Sequence, residues 1–145
     1  GGEEHRKSVV EVMREQFQRL HRDRECRAGA LAVCCELLRL YFCLGQASQC
    51  SFLLSAVGQR TDLNSLPKAL AVPLAFLWGK HCVLAGNVTE AEERLGWALA
   101  NCPPSSTRNR RRILAYLVPC RLRFGRALPA ASLRRHGLEG YEGVA

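Results

Sequence analysis

The sequence lacks any run of residues that is both long enough and free enough of charge to span a bilayer. Its first seven residues carry no hydrophobic stretch of the kind found in secretory signal peptides. A glycine-rich phosphate loop is absent, and the spacing yields neither a Ser-His-Asp nor a Cys-His arrangement. We therefore expect a soluble, non-catalytic chain with no cofactor, no metal, no small-molecule substrate and no membrane partner.

Cysteine pairs with the spacing of a zinc site are also missing. The eight cysteines contain no Cys-x-x-Cys pair, and the adjacent Cys34 and Cys35 should point to different helix faces. His21 and His81 have no second matched pair of ligands. Most of the cysteines lie in apolar helical runs, where a thiol behaves as a small hydrophobic group. The sequence predicts buried, reduced cysteines in a reducing compartment.

Acidic residues are absent from one long segment, residues 94–138, which contains arginine throughout. In residues 1–93 the basic and acidic side chains balance, so the net charge of +8 arises from this later segment. A positive field of that size attracts nucleic acid or an acidic protein segment. A solvated basic face without a partner is the alternative interpretation.

A pattern of small residues in residues 73–104 is typical of a tetratricopeptide-like helical repeat, with an ordinary helical hairpin as the alternative. Gly79 lies inside the first helix of the pair, where glycine costs about 1 kcal/mol relative to alanine, so we expect a close backbone approach there. Glycines that end apolar runs recur about every 40 residues, which predicts three hairpins in series. The predicted repeat-packing residues are Gly45, Gly79, Gly86, Ala91, Ala98 and Gly125.

The apolar periodicity predicts an all-α fold, with hairpins stacked as a short right-handed solenoid. We expect Pro73 to kink its helix or to divide it into a lead-in and a main helix from residue 74. Thr89 is the expected cap of the helix that Pro103 stops. The other predicted helices span residues 8–20, 28–44, 47–57, 107–124 and 130–136.

On the predicted helix 107–124, Arg108, Arg112 and Arg123 fall on one stripe, while Arg110 and Arg121 lie on a second edge. Arginine suits bidentate contacts with phosphate and carboxylate groups. Aromatic residues that could stack on bases are few, because Tyr116 and Phe124 should both face the core. The candidate residues for binding nucleic acid or an acidic partner are Arg108, Arg110, Arg111, Arg112, Arg121, Arg123 and Arg126.

Three segments together resemble the PCI-domain family of scaffold subunits. The most specific is Asn109-Arg110-Arg111-Arg112-Ile113-Leu114 with its continuation to Pro119, and residues 90–102 and 125–129 accompany it. Within the family, the likeness is to the scaffold subunit of the nuclear transcription-and-export complex and to its signalosome-associated relative. The resemblance covers most of residues 28–142.

The resemblance implies a nuclear scaffold, with the cytoplasm as a second location, that pairs with a larger PCI-family subunit and a small acidic stabilising peptide. It also implies RNA or DNA binding across the joint surface. We expect an N-terminal helix and linker in residues 1–27 and one continuous helical-repeat unit in residues 28–145. The winged helix that follows the repeats in this family has no room here, so we expect a fragment or a truncated isoform.

Overall fold

The computed structural model describes residues 2–58 and 61–123, and every regular element in these two ranges is helical. The predicted all-α fold class is confirmed. The chain forms two compact units, and the division between them falls after Leu70. None of the helices in the described ranges combines the length and apolar character needed to cross a membrane. The α-helices are α1 (Gly2–His21), α2 (Arg27–Leu44), α3 (Ala47–Val57), α4 (Lys68–Leu84), α5 (Val88–Asn101) and α6 (Thr107–Arg123).

The first unit is built from α1, α2 and α3. Val10 and Phe17 are the buried residues of α1, which packs on α2, as the i, i+3, i+4 pattern predicted. Arg14 links the three helices, because its Nη2 atom donates to the Tyr41 hydroxyl at 3.1 Å and lies 3.5 Å from Gln49 Oε1. The boundary predicted after residue 27 lies inside this unit.

Helix α1 begins at Gly2 rather than at residue 8. Glu3 and Glu4 occupy its first turn, where carboxylates stabilise the unpaired N–H end of a helix. Lys7 adds an i, i+4 ion pair with Glu3. The apolar period starts later than the helix does, and for that reason the prediction began too late.

Helix α4 runs unbroken from Lys68 to Leu84 with Pro73 inside it, and all but its first three residues belong to the second unit. The predicted alternative of a separate lead-in and main helix is therefore wrong. Proline removes one backbone donor, but the helix continues because its neighbours are deeply buried. Ala71, Leu74 and Ala75 are fully buried on either side of Pro73.

The turn between α4 and α5 is capped by Asn87 and not, as predicted, by Thr89. Asn87 Oδ1 accepts a hydrogen bond from the Glu90 backbone N–H at 3.3 Å, and Asn87 Nδ2 donates to Glu90 Oε2 at 3.0 Å. Thr89 lies one residue inside the helix, since α5 begins at Val88. The prediction overlooked that asparagine is as good a cap as threonine or better.

We predict that Asn87→Ala lowers the free energy of unfolding by about 1 kcal/mol, because the Glu90 N–H loses its acceptor. Thr89→Ala should change it by a few tenths of a kcal/mol at most, since alanine has the higher helix propensity. Urea titration followed by circular dichroism measures both. Equal losses for the two variants would contradict the assignment of the cap.

Glycine serves two different purposes among the predicted repeat-packing residues. Gly45 and Gly86 have φ values of 68° and 82°, and a Cβ atom at either would meet nothing within 4 Å. They end helices through left-handed backbone conformation and not through close packing. At Gly79 a Cβ atom would lie 2.6 Å from Leu95 Cγ, so here α4 and α5 approach closely. Ala91 and Ala98 of α5 are fully buried.

Candidate nucleic-acid interface

Helix α6 has one buried side and one arginine-rich side. Ile113, Leu114, Leu117, Val118 and Cys120 are buried, and Leu114 and Val118 form a cluster with Leu99 and Leu122. Because this apolar side is buried, the orientation of α6 about its own axis is determined, and so is the set of residues that face solvent. The arginines that it leaves exposed on the opposite side are Arg108, Arg111, Arg112 and Arg123. We call these four residues the arginine face.

The N-terminal part of the arginine face does not stabilise α6, whereas Arg123 in the last turn suits the helix dipole. Arg108 lies at the N-terminal end of α6, where a positive charge opposes the helix dipole. Arg108 and Arg112 are one turn apart, and like charges at this spacing destabilise a helix by about 0.2–0.5 kcal/mol. No acidic side chain occurs in α6. A bound polyanion would relieve both repulsions, so the face is suited to phosphate groups.

Arg110 has a different role from the one that the sequence predicted. Its Nη1 atom donates to the carbonyl oxygens of Leu99 at 3.1 Å and Cys102 at 3.0 Å. These carbonyls lie at the C-terminal end of α5, where no intrahelical donor is left for them. Arg110 therefore ties the start of α6 to the end of α5. Sequence reasoning missed this because both partners are backbone atoms in another helix.

We predict that Arg110→Ala lowers the free energy of unfolding by about 1.5–3 kcal/mol, the range for hydrogen bonds from a charged group. Arg112→Ala, a matched change on the exposed side, should stay within about 0.5 kcal/mol of the wild-type chain. Urea titration of both variants makes the comparison. A larger loss for Arg112→Ala than for Arg110→Ala would show that the two side chains have been assigned the wrong roles.

Arg121, the other arginine of the predicted second edge, is also partly covered. A Cβ atom built on Gly96 of α5 would lie 3.6 Å from Arg121 Nη2, so the guanidinium group covers that glycine. The candidate set predicted from the sequence therefore included Arg110 and Arg121, which pack against α5, together with the four exposed arginines. Gly125 and Arg126, the remaining predicted residues, lie outside the described ranges.

A further arginine, which the sequence did not single out, joins α4 to α5. The Arg94 guanidinium carbon lies 3.8 Å from the centroid of the Trp78 ring, and Nη2 lies 3.6 Å from Glu90 Oε1. The Arg94 side chain is mostly buried, so this cation–π contact and ion pair are shielded from solvent. Part of the basic excess of the chain is therefore used inside the second unit.

Tyr116 lies at the border of the arginine face and not in the core as predicted. It is half-buried, and its ring meets the Phe76 ring edge-on with 5.8 Å between the centroids. Lys80 Nζ lies 5.7 Å from the Tyr116 centroid. One aromatic ring thus stands beside the cations of α6, one turn after Arg112. Phe124 lies outside the described ranges.

The cysteines of the described residues are free thiols, and six of the eight are buried. Burial raises the pKa of Cys35 to about 11 and that of Cys82 to about 12. Both groups are therefore protonated near neutral pH and behave as apolar side chains. Within residues 2–58 and 61–123, His, Cys, Asp and Glu form no group of three or more that could hold a metal ion.

Several curated proteins are similar in sequence to this chain. It is 34% identical over 117 residues to Enhanced ethylene response protein 5 of Arabidopsis thaliana, which covers 79% of this chain and 28% of that protein. It is 34% identical over 101 residues to the Protein CSN12 homolog of Neurospora crassa, covering 67% of this chain and 22% of the relative. The PCI domain-containing protein 2 homolog of Caenorhabditis briggsae matches over 141 residues at 26% identity, covering 95% of this chain and 34% of the relative.

The chain belongs to the PCI-domain family. This confirms the predicted resemblance to that family. The Caenorhabditis briggsae relative is named for the PCI domain itself. This PCI chain spans between about a fifth and a third of the length of these three relatives. No protein-family profile matches it, and no solved structure does.

Proposed function

We propose that this PCI chain acts in a non-catalytic scaffold subunit of a nuclear, transcription-coupled mRNA export complex. In this role it pairs with a larger PCI-family subunit and a small acidic stabilising peptide. The arginine face of α6 contributes a surface for RNA. The observation that supports RNA binding most is the set of four exposed arginines on a helix without an acidic residue.

The physical case for RNA follows from the arrangement of charge on α6. Its arginines are carried by a helix whose apolar side is buried, so little backbone order has to be created on binding. Arginine donates in a fork that matches phosphate oxygens. Binding of this kind depends on the backbone of the nucleic acid and should show little sequence preference.

A signalosome-associated PCI scaffold is the second candidate. The similarity to the Protein CSN12 homolog of Neurospora crassa favours it. A third possibility is a chain that binds nucleic acid directly through its arginines without a partner subunit. The first two candidates differ in the proteins with which the chain assembles, and the third differs from both in needing none.

Affinity isolation of the tagged full chain from nuclear extract, with and without ribonuclease, tests these candidates. We expect export-complex PCI subunits and a small acidic protein to be retained after ribonuclease treatment. Signalosome subunits in their place would overturn the export assignment in favour of the second candidate. RNA recovered without any PCI subunit would support the direct nucleic-acid-binding module instead.

A charge-reversal variant separates the two functions of the proposed scaffold. Arg108→Glu with Arg112→Glu should reduce the recovered RNA and leave the partner subunits bound. The matched control, Arg6→Glu with Arg22→Glu, makes the same charge change at two exposed positions of the first unit. Loss of the partner subunits with the first pair, and unchanged RNA, would show that the arginine face binds protein instead.

A further inference from the structure

The arginine face is interrupted along α6 by a short apolar surface, formed by Ala115 and Pro119, which we call the shelf. Between Arg112 and Arg123 the helix presents Ala115 and Pro119 to solvent, neither of which carries a polar side chain. The cations before the shelf, which end at Arg112, and the single cation after it, Arg123, are therefore separated by about 16 Å along the helix axis, at 1.5 Å per residue. A polyanion that contacts both groups has to cross this shelf.

Tyr116 lies beside the shelf. Since residues four and seven apart share a helix face, Tyr116 lies on the same side of α6 as Arg112 and Arg123. Phe76 of α4 supports the ring edge-on at 5.8 Å, which limits its motion. Lys80 of the same helix brings a third cation over the Tyr116 ring, with Nζ 5.7 Å from the centroid, so a base would have to stack on the part of the ring that Lys80 leaves open.

We infer that Tyr116 is a base-stacking position and that the arginine face takes single-stranded RNA in preference to duplex RNA. This inference rests on the proposed RNA-binding function and adds the class of RNA. Tyr116 is half-buried, so the part of its ring that Phe76 and Lys80 leave open is where one unstacked base would stack, while the arginines on either side contact the phosphates before and after it. In a duplex the bases are already stacked on each other, so Tyr116 adds nothing to the affinity.

An acidic peptide is the other polyanion that the face could bind. It would contact the arginines through carboxylates but would have no flat group for the ring. Single-stranded RNA contacts the arginines through its phosphates and the Tyr116 ring through a base. For this reason the position of Tyr116 between Arg112 and Arg123 favours RNA.

Fluorescence anisotropy of the full chain with a single-stranded RNA and with its duplex tests the inference. Tyr116→Leu keeps an apolar side chain of similar bulk but removes the ring, and we expect it to weaken single-strand binding about tenfold while leaving duplex binding unchanged. Tyr116→Phe keeps the ring and should bind both RNAs as the wild-type chain does. Urea titration of each variant shows whether it remains folded.

An abasic probe makes the test independent of folding. Removing the bases from the single-stranded RNA keeps its charge and should weaken binding to the wild-type chain about tenfold, yet leave binding to Tyr116→Leu unchanged. Equal single-strand affinities for the wild-type chain and Tyr116→Leu, with the arginines still required, would overturn the stacking inference alone. Failure of the wild-type chain to bind either RNA, or binding of an acidic peptide only, would overturn the proposed RNA-binding function as well.

Discussion

Replacing Gly79 with valine should lower the free energy of unfolding by about 3 kcal/mol, the upper end of the usual cost of overpacking. A Cβ atom at this position would lie 2.6 Å from Leu95 Cγ, 2.8 Å from Leu95 Cδ2 and 3.3 Å from the Leu95 backbone nitrogen. Leu95 is fully buried and has little room to move. The backbones of α4 and α5 would have to separate to admit the larger side chain.

Gly96→Ala is a control for the addition of a side chain at a helical glycine with more room around it. A Cβ atom there would come no closer than 3.6 Å to Arg121 Nη2, an ordinary contact with a flexible side chain. Because alanine is favoured over glycine inside a helix by about 1 kcal/mol, this variant should be as stable as the wild-type chain or more so. Urea midpoints measure both variants. A Gly79→Val chain as stable as the wild type would contradict the close approach of α4 and α5.

Neutralising the whole arginine face should produce the largest change in RNA affinity. Each phosphate contact with a single strand contributes about 0.7 to the slope of log affinity against log salt, so losing four contacts lowers the slope by roughly 3. At low salt the affinity should fall by about a hundredfold or more, since several contacts are lost together. The substitutions are Arg108→Gln, Arg111→Gln, Arg112→Gln and Arg123→Gln.

The control removes the same charge from the exposed surface of the first unit. It should keep the wild-type salt slope, because its effect on RNA is only the long-range change in net charge. Anisotropy titrations across a range of salt concentrations measure the slopes. A face variant with the slope of the wild-type chain would show that phosphates are not bound by α6. The control substitutions are Arg6→Gln, Arg19→Gln, Arg22→Gln and Arg24→Gln.

Much of the helical fold could be predicted from local pattern alone. The bounds of α3 match the predicted 47–57, and α2 begins one residue earlier than predicted, because apolar periodicity and the helix-ending glycines determine both. The close approach at Gly79 was predictable too, because a glycine inside a helix has to be compensated by packing. These features depend on residues within one turn or one hairpin.

The separate roles of the α6 arginines could not be predicted in the same way. A helical wheel placed Arg110 and Arg121 on a different edge from Arg108, Arg112 and Arg123, but it could not identify what covers that edge. The carbonyls that bind Arg110 and the glycine under Arg121 belong to α5. Side-chain contacts between helices depend on the interaxial angle, which the sequence does not state. For the same reason Tyr116 was placed in the core and not at its border.

Ultraviolet crosslinking of single-stranded RNA to the full chain, followed by sequencing of the crosslinked peptides, tests most directly whether α6 is the surface that binds RNA. The account predicts a crosslink at Tyr116, in the tryptic peptide of residues 113–121 of the wild-type chain. When the arginine face is neutralised, cleavage after residues 111 and 112 is lost, and we expect the corresponding peptide of residues 111–121 to carry no crosslink. Crosslinks confined to residues 1–70, unchanged by those substitutions, would contradict it.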